Sequence, residues 1–332
     1  MKVFVAFLLL FGLLSCGQEN QKQQESNTQQ NLPLDSLLSI FPDSVNLLVT
    51  RAKLHYEKSL FDLMLVDAAH AFSLDSNRTD VQLAYAKALL NYGQATIQDK
   101  LNSKRLCAMI LEKDSSNVEA LIDMANHFAI EENFDEGFRL INKALRIDPR
   151  ARDAYFLKAS MYRILGNYKL MLSSFETTIS IDPNFINGYF YIGSYYEHIQ
   201  NPICIEYYKS AHNLAPSNAD FLYPLAYAYS VFDQPKAADS LYRKMISIDS
   251  TAYIAYFHLG YLKQFVFEEI DSAFEYYDQT LRINPLHIES LHNKGLLYEE
   301  IGDKANALFT YGKALRINPE YEVTKARVKA LR

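Results

Sequence analysis

The chain has 332 residues, of which 49% are hydrophobic and 22% are charged, a balance typical of a folded protein and not of a disordered one. Its formal net charge is −6 at pH 7. Lys and Arg cluster only in the last turns, from Lys325 to Arg332. An acidic chain without a basic stripe lacks the positive charge that phosphate contacts need, and this argues against a nucleic-acid partner.

The chain begins with an apolar run from Val3 to Leu14. The run is too short to cross a bilayer as a helix but is typical of the core of a secretory signal. It ends at Leu13-Leu14-Ser15-Cys16-Gly17, which resembles the lipobox of bacterial lipoproteins. The resemblance implies a signal peptide over residues 1–15 and acyl chains, palmitate among them, on Cys16. The alternative is an ordinary cleaved signal followed by an incidental cysteine.

The implied anchor places the protein in a bacterial cell envelope, attached to a membrane by lipid. We expect the outer membrane with the chain facing the periplasm, and the cell surface is the alternative location. Residues 16–33 follow, and from Gly17 to Asn31 they are rich in Gln, Asn, Glu and Ser and lack any apolar residue. This composition predicts a disordered tether. The apolar positions between Leu34 and Phe41 predict a short packing segment over residues 34–44.

One short sequence motif recurs through the rest of the chain. It reads Ala144 to Pro149, Thr178 to Pro183, Thr280 to Pro285 and Ala314 to Pro319, and the first two and the last two copies are each 34 residues apart. When the chain is aligned on this motif, residues 45–321 divide into eight repeats. The predicted repeats are 45–78, 79–117, 118–151, 152–185, 186–218, 219–252, 253–287 and 288–321.

Each repeat carries the pattern of two packed helices. The eighth residue is always small, which lets two helices approach closely: Ala52, Ala86, Ala125, Ala159, Gly193, Ala226, Gly260 and Gly295. A second apolar set with rings follows a turn: Phe175, Tyr208, Tyr242, Tyr277 and Tyr311. The apolar spacing is three or four residues, which indicates helices, and the Asp-Pro or Asn-Pro pair ends the second helix. Because one hairpin cannot bury its apolar face alone, neighbouring hairpins must stack.

These features resemble the tetratricopeptide repeat family over nearly all of residues 45–321. The resemblance implies an all-α solenoid of about eight helix-turn-helix repeats forming a right-handed superhelix, closed by a capping helix over residues 322–332. The early Trp of the family pattern is absent. An insertion around Gln94 to Asn102 predicts a long loop inside repeat 2. Pro224 lies early in the first helix of repeat 6, where we expect it to remove a backbone hydrogen bond or to displace the helix start.

The sequence offers no clear catalytic constellation. His127, Glu131 and Glu132 have a near-ligand spacing, but a solvated helix surface explains them better than a metal. Cys107 falls at a core position, and Cys204 begins the second helix of repeat 5, about six helices away, so the two cannot form a disulfide within one molecule. We therefore predict a protein that is not an enzyme and that needs neither a metal nor a cofactor.

First helices of the family line a concave groove, and the resemblance assigns the partner-binding positions here. They are Lys87, Asn126, Phe156, Ser160, Arg163, Phe190, Ser194, Glu197, Tyr223, Tyr227, Phe257, Tyr261 and Gln264. An aromatic row edged by polar groups favours contact with a ligand, although each ring could instead pack between adjacent first helices. We predict a membrane-anchored scaffold or adaptor that binds a protein or peptide partner, with no small-molecule substrate. The alternative is a glycan-binding or peptidoglycan-binding module whose rings stack on sugars.

Overall fold

The computed structural model describes residues 33–216 and 218–332. The predicted signal peptide, the lipid attachment at Cys16 and nearly all of the tether lie outside the described residues. Within the described ranges every regular element is an α-helix, and the eighteen helices confirm the predicted all-α fold. In chain order the helices are α1 Leu34–Ile40, α2 Val45–Glu57, α3 Phe61–Leu74, α4 Thr79–Asn91, α5 Ile97–Lys113, α6 Val118–Ile130, α7 Phe134–Ile147, α8 Arg152–Ile164, α9 Tyr168–Ile181, α10 Ile186–His198, α11 Cys204–Leu214, α12 Ala219–Val231, α13 Pro235–Ile248, α14 Tyr253–Phe265, α15 Ile270–Ile283, α16 Ile288–Glu300, α17 Lys304–Ile317 and α18 Glu322–Leu331.

Helices α2 to α17 alternate as the first and second helices of hairpins, which we number 1 to 8. Packing is densest inside the pairs α2/α3, α4/α5, α6/α7, α10/α11, α12/α13, α14/α15 and α16/α17. The described part of the chain forms two compact units, which divide between Met161 and Tyr162 within α8. In the part of the chain that the structure describes, none of the helices is both long enough and apolar enough to cross a membrane.

The first compact unit has its largest core between hairpins 2 and 3. Buried Leu106, Cys107, Leu121 and Ile141 meet there, so Cys107 occupies the core position that its spacing predicts. The insertion in repeat 2 does not make a long loop, which corrects the prediction. Only residues 92–96 separate α4 from α5. The Thr96 side chain accepts a hydrogen bond from the Asp99 backbone while the Asp99 carboxylate accepts one from Thr96, and this capping box starts the helix early. The inserted residues therefore lengthen α5.

The second compact unit shows why the eighth residue of a repeat must be small. Tyr311 on α17 is fully buried, and its ring lies next to Gly295 of α16. A Cβ atom added to Gly295 would lie 2.3 Å from the Tyr311 ring atom Cε1. Tyr277 is also fully buried, and it approaches Gly260 in the same way. The rings predicted for the second helices thus fill the space that the small residues of the first helices leave open.

Pro224 lies inside α12, which nevertheless begins at Ala219. The helix start is therefore not displaced, and the remaining expected effect is the loss of one backbone donor inside the helix. The Asn218 side chain accepts a hydrogen bond from the Asp220 backbone N–H at 2.9 Å, so the first turn of α12 is held by its cap.

The turns inside the hairpins repeat one strained backbone position. The second residue after the end of the first helix adopts a positive φ in hairpins 1, 3, 4, 5, 6 and 8, with values of 70° and 78° at Gly166 and Gly302 and of 59° at the non-glycine residue Glu132. Only glycine occupies this left-handed region without a steric cost from Cβ. The structure thus identifies Glu132 as a residue held in place by the packing of α6 and α7.

We expect Glu132→Gly to raise the free energy of unfolding by about 1 kcal/mol, because it relieves this strain. The matched control is Gly302→Ala, which should lower it by about the same amount. A Cβ atom at Gly302 would meet no atom within 4 Å, so its cost comes from the backbone alone. Urea unfolding monitored by circular dichroism measures the change in stability of both variants. A loss of stability in Glu132→Gly would contradict the explanation by backbone strain.

Candidate functional site

The predicted aromatic row lies on first helices, and most of it belongs to the second compact unit. We call the rings of Phe190, Tyr223, Tyr227, Phe257 and Tyr261 the ring surface. They come from α10, α12 and α14 at the fifth and ninth positions of hairpins 5 to 7, so they share one face of the first helices. Four of these rings are half-buried, and Tyr261 is exposed.

The fifth-position rings pack between neighbouring helices. Phe190 lies 6.0 Å from the Tyr208 ring and 5.9 Å from the Phe221 ring. Phe257 lies 4.8 Å from the His287 ring. These centroid distances are those of ordinary aromatic pairs. The alternative interpretation from the sequence, packing between adjacent first helices, therefore describes Phe190 and Phe257 well. Their contribution to a binding surface is to make it rigid.

Two tyrosines of the ninth positions differ from the rest of the ring surface. Tyr261 is 45% exposed, and its ring lies 4.7 Å from the ring of Phe265, which is 47% exposed. Tyr227 is half-buried, 6.2 Å from the Tyr223 ring. Within the described residues neither the Tyr227 hydroxyl nor the Tyr261 hydroxyl has a hydrogen-bond partner. An accessible ring with an unused hydroxyl offers a ligand both apolar area and a polar contact.

The His258 side chain packs against rings beneath this surface. The His258 ring stacks on the buried Tyr242 ring at 5.0 Å with an interplanar angle of 4°. Its Nε2 atom lies 3.2 Å from the Tyr223 hydroxyl. Burial lowers the pKa of His258 to about 4, and the nearby His287 adds to the effect. His258 is therefore neutral at pH 7.

This buried histidine makes stability depend on pH. The unfolded chain binds a proton at His258 near pH 6.5, but the folded chain binds it only near pH 4. The unfolded state is therefore favoured as pH falls below 6.5. We expect His258 to remove on the order of 1–2 kcal/mol of stability between pH 7 and pH 5. His258→Phe keeps a ring against Tyr242 and should flatten that part of the pH profile, measured by urea unfolding. If the slope of stability against pH were unchanged in His258→Phe, it would not arise from His258.

Some of the polar residues predicted beside the rings are accessible, and others already form hydrogen bonds within the chain. Ser194 is exposed, whereas Glu197 accepts a hydrogen bond from the Tyr208 hydroxyl at 2.6 Å. Gln264 is only 6% exposed and accepts a hydrogen bond from the buried Tyr277 hydroxyl at 2.9 Å. The prediction that Gln264 lines a groove is therefore corrected, because its amide completes the core. Arg163 is exposed, and its guanidinium lies 5.3 Å from the Tyr191 ring.

The groove positions predicted in the first compact unit are Lys87, Asn126, Phe156 and Ser160. Asn126 and Phe156 are half-buried. Ser160 is also half-buried, and its hydroxyl donates to the Phe156 carbonyl at 3.0 Å. Lys87 lies deeper, with a side chain only 12% exposed. Of these four positions only Phe156 carries a ring.

Lys87 is compensated by carboxylates of the same unit. Its Nζ atom lies 3.8 Å from Asp123 Oδ1 and 3.9 Å from Asp153 Oδ2, and 4.6 Å from the centre of the Tyr56 ring. Burial raises the pKa of Asp123 to about 6, although Lys87 acts in the opposite direction. The prediction that Lys87 contacts a partner is thus not supported by its position, because its ammonium already pairs with the buried Asp123 and the half-buried Asp153.

A second ion pair links two distant hairpins of the first compact unit. Arg152 on α8 donates two hydrogen bonds of 2.9 Å to the carboxylate of Glu57 on α2. This bidentate contact joins hairpins 1 and 4 across the surface of hairpins 2 and 3. Sequence reasoning missed it, since nothing local to either residue indicates a partner 95 positions away.

The residues singled out for metal or thiol chemistry have structural roles. His127 is buried, and its Nε2 atom lies 2.9 Å from the Ser103 hydroxyl, while Glu131 pairs with Lys104. Cys107 and Cys204 are free and buried, and burial raises the pKa of both thiols. Among the described residues there is no group of three His, Cys, Asp or Glu that could hold a metal ion.

Comparison with known proteins gives consistent matches. A family model described as tetratricopeptide repeat matches residues 153–185 and 288–321. The TPR repeat-containing protein MJ1428 of Methanocaldococcus jannaschii is 23% identical over 266 residues, which cover 65% of this chain and 46% of that protein. The chain spans less than half the length of the curated relatives that it matches.

Solved structures agree on the fold. The C-terminal part of a TPR repeat-containing protein from Cytophaga hutchinsonii has a TM-score of 0.61 at 16% identity, covering 74% of this chain and 98% of that one. The APC/C hetero-tetramer Cut9–Hcn1 has a TM-score of 0.59 at 16% identity, covering 90% of this chain and 58% of that chain. At this identity the likeness extends to the fold alone.

Proposed function

We propose, from the premise that this chain belongs to the tetratricopeptide repeat family, that it is a scaffold which binds a segment of a partner protein on the ring surface of its second compact unit. The observation that carries the proposal is the pair Tyr227 and Tyr261. Each presents an accessible ring and a hydroxyl without a partner in the described residues, on first helices of consecutive hairpins.

The packing beneath these rings favours binding. The Tyr227 ring lies 6.2 Å from the Tyr223 ring and 5.9 Å from the His258 ring, and the Tyr261 ring lies 4.7 Å from the Phe265 ring. A supported tyrosine loses little side-chain entropy on binding, and tyrosine is enriched among the residues that dominate binding energy in protein interfaces. The hydroxyls can donate to backbone carbonyls of a bound segment, which gives orientation as well as area.

The proposed binding site is tested by the double variant Tyr227→Ser/Tyr261→Ser. We expect capture of the partner from an extract of the source organism, quantified by mass spectrometry, to fall by roughly tenfold, because two anchor rings are lost. Phe309→Ser is the matched control, since Phe309 is a 57% exposed ring on the second helix α17. Its capture should equal that of the unaltered protein. Equal capture by the double variant would contradict the site.

The same variants distinguish a glycan ligand. If the two tyrosines stacked on sugars, the unaltered chain would sediment with purified peptidoglycan in the absence of any protein, and Tyr227→Ser/Tyr261→Ser would not. We expect no such sedimentation for either form. Retention on the cell wall without protein partners would replace the scaffold proposal by the glycan-binding alternative.

The location of the scaffold is a separate part of the proposal. The residues Leu13-Leu14-Ser15-Cys16 support acylation of Cys16 and attachment to a membrane of the bacterial envelope. We expect this membrane to be the outer membrane, with the cell surface as the alternative location. Cys16→Ala should move the protein from the membrane pellet to the soluble fraction, measured by fractionation of cells that express the full chain. A variant that still sediments with membranes would contradict the anchor.

A further inference from the structure

A polar contact that joins three helices recurs in the second compact unit. In hairpin 8 the twelfth residue of the first helix is Glu299, and its Oε1 atom accepts a hydrogen bond from the Tyr311 hydroxyl at 2.5 Å. The same carboxylate accepts two hydrogen bonds from the guanidinium of Arg327, which is the sixth residue of the next helix, α18. The carboxylate of the twelfth residue is thus neutralised by a cation from the following helix.

Hairpin 7 has a neutral version of this contact. Its twelfth residue is Gln264, which accepts a hydrogen bond from the Tyr277 hydroxyl at 2.9 Å. The sixth residue of the next first helix is Asn293, which donates to the same hydroxyl at 3.1 Å. A neutral acceptor therefore meets a neutral donor in hairpin 7, whereas the carboxylate of hairpin 8 meets a guanidinium. The charge of the donor follows the charge of the twelfth residue.

Hairpin 5 has the carboxylate without the cation. Among the eight described hairpins, only hairpins 5 and 8 have an acid as the twelfth residue of the first helix. In hairpin 5 this acid is Glu197, and its Oε2 atom accepts a hydrogen bond from the Tyr208 hydroxyl at 2.6 Å. The sixth residue of the next first helix is Pro224, whose side chain has no donor. Within residues 33–216 and 218–332 the half-buried Glu197 has no ion-pair partner, and its Oε1 atom accepts no hydrogen bond.

Glu197 lies beside the ring surface. Burial raises the pKa of Tyr223, and the neighbouring Tyr227 and Glu197 add to the effect, which places the Glu197 charge close to the Tyr223 ring. A carboxylate pairs with a guanidinium through two parallel hydrogen bonds, and the face of an aromatic ring also attracts a guanidinium. A carboxylate next to tyrosine rings therefore favours an arginine side chain.

We propose that the partner segment on the ring surface carries an arginine whose guanidinium pairs with Glu197, as Arg327 pairs with Glu299. This inference rests on the function proposed above and adds the chemistry of the segment. The segment supplies the cation that Pro224 does not provide. An acidic side chain at the same place would be repelled, so Glu197 selects among segments as well as binding one.

The first test selects peptides from a random library displayed on phage, with the full chain as bait. We expect the peptides that depend on the two tyrosines, identified by their loss with Tyr227→Ser/Tyr261→Ser, to be enriched in arginine. Glu197→Gln should remove this enrichment, while its glutamine still accepts from the Tyr208 hydroxyl, as Gln264 does from Tyr277. The matched control is Glu206→Gln, which removes the same charge from a side chain that is 70% exposed on α11 of the same hairpin. It should keep the enrichment.

The second test measures the most enriched peptide by fluorescence anisotropy, beside a copy in which citrulline replaces arginine. Citrulline keeps the shape but not the charge, so we expect it to weaken binding to the unaltered chain by about tenfold. In Glu197→Gln the two peptides should differ by less than about twofold.

A variant that supplies the cation from within the chain should compete with the peptide. Pro224→Arg places a guanidinium at the position that corresponds to Arg327, and we expect it to weaken the arginine peptide by about tenfold. Pro224→Ala makes the same change of backbone without a cation and should leave affinity unaltered. Circular dichroism melting of each variant shows whether a loss of affinity is a loss of folding.

The outcomes separate this inference from the proposed function. Tyrosine-dependent peptides without enriched arginine, or an effect of citrulline that persists in Glu197→Gln, would overturn the inference and leave the ring surface as a binding site. The absence of any tyrosine-dependent peptide would contradict both. Equal loss of enrichment in Glu206→Gln would show that the overall charge attracts arginine. A dimer in sedimentation velocity that is lost in Glu197→Gln would show that a second copy supplies the cation, and this would also overturn the inference.

Discussion

Tyr277→Ala is expected to lower the free energy of unfolding by about 4 kcal/mol, near the upper range for the truncation of a buried ring. Tyr277 is fully buried and lies against Gly260, where an added Cβ atom would come within 2.7 Å of the ring. Its hydroxyl donates to Gln264 at 2.9 Å and accepts from Asn293 at 3.1 Å. Alanine leaves a cavity between α14, α15 and α16 and strips the buried Gln264 of its donor.

Tyr277→Phe is the control for the ring alone. It keeps the packing against Gly260 and removes only the hydroxyl, so we expect a loss of about 1–2 kcal/mol. Urea unfolding at pH 7 gives both values, and hydrogen exchange should show the loss of protection in α14 to α16 first. If alanine and phenylalanine were equally destabilising, the ring would not hold the hairpin together, and the account of the small eighth residue would be wrong.

Lys87→Met is expected to lower the free energy of unfolding by about 3 kcal/mol or more at pH 8, because it leaves the buried Asp123 carboxylate without a cation. Asp123 is 5% exposed, and one of its carboxylate oxygens has no hydrogen-bond partner in the described residues. Methionine keeps the length and the apolar stem of the side chain. The loss therefore reports the charge and not the packing.

The pKa of Asp123 predicts how the stability lost in Lys87→Met changes with pH. The folded-state pKa of Asp123 is raised to about 6, above its ordinary value of 3.8. Because Lys87 lowers that pKa, its removal raises it further, and in Lys87→Met the Asp123 carboxyl takes up its proton at a higher pH than in the unaltered chain. The stability lost in Lys87→Met should therefore shrink as pH falls towards 5. A deficit that grows on acidification would contradict the assignment.

A double-mutant cycle isolates the pair. Lys87→Met/Asp123→Leu replaces both charges by apolar groups, and we expect it to be more stable than the Lys87→Met variant. Urea midpoints for the three variants and the unaltered chain give the coupling. Strictly additive losses would show that Lys87 and Asp123 do not interact.

Much of the fold follows from the sequence because its determinants are local and repeat. The recurring Asp-Pro or Asn-Pro stop, the small eighth residue and the three-to-four spacing of apolar positions all predict paired helices, and the structure confirms them. The relation between Gly295 and Tyr311 is already visible as a small residue in one helix and a ring sixteen positions later. Stacking then requires only that each hairpin cover its neighbour.

The insertion in repeat 2 was predictable in principle. Thr96 and Asp99 form a capping box, and a Thr followed three positions later by an acid is a sequence signal for a helix start. A count of residues against the usual repeat length favours a loop, whereas the capping signal favours a longer helix. The local signal prevails because the cap satisfies backbone donors that a loop would leave to water.

The binding residues were harder to predict, since a helical position fixes the face but not the neighbours. Lys87 and Gln264 share the face of Tyr261, yet Lys87 meets Asp123 and Asp153 from later helices, and Gln264 turns to the buried Tyr277 hydroxyl.

The most direct test of the account is site-specific photocrosslinking in intact cells of the source organism, with a photoreactive amino acid placed at Tyr261 and, in a separate strain, at Phe309. The account predicts a discrete protein adduct from Tyr261, identified by mass spectrometry, that is lost when Tyr227→Ser is added and is absent from Phe309. Adducts of equal yield from both positions, or none from Tyr261, would contradict the ring surface as the place where a partner binds.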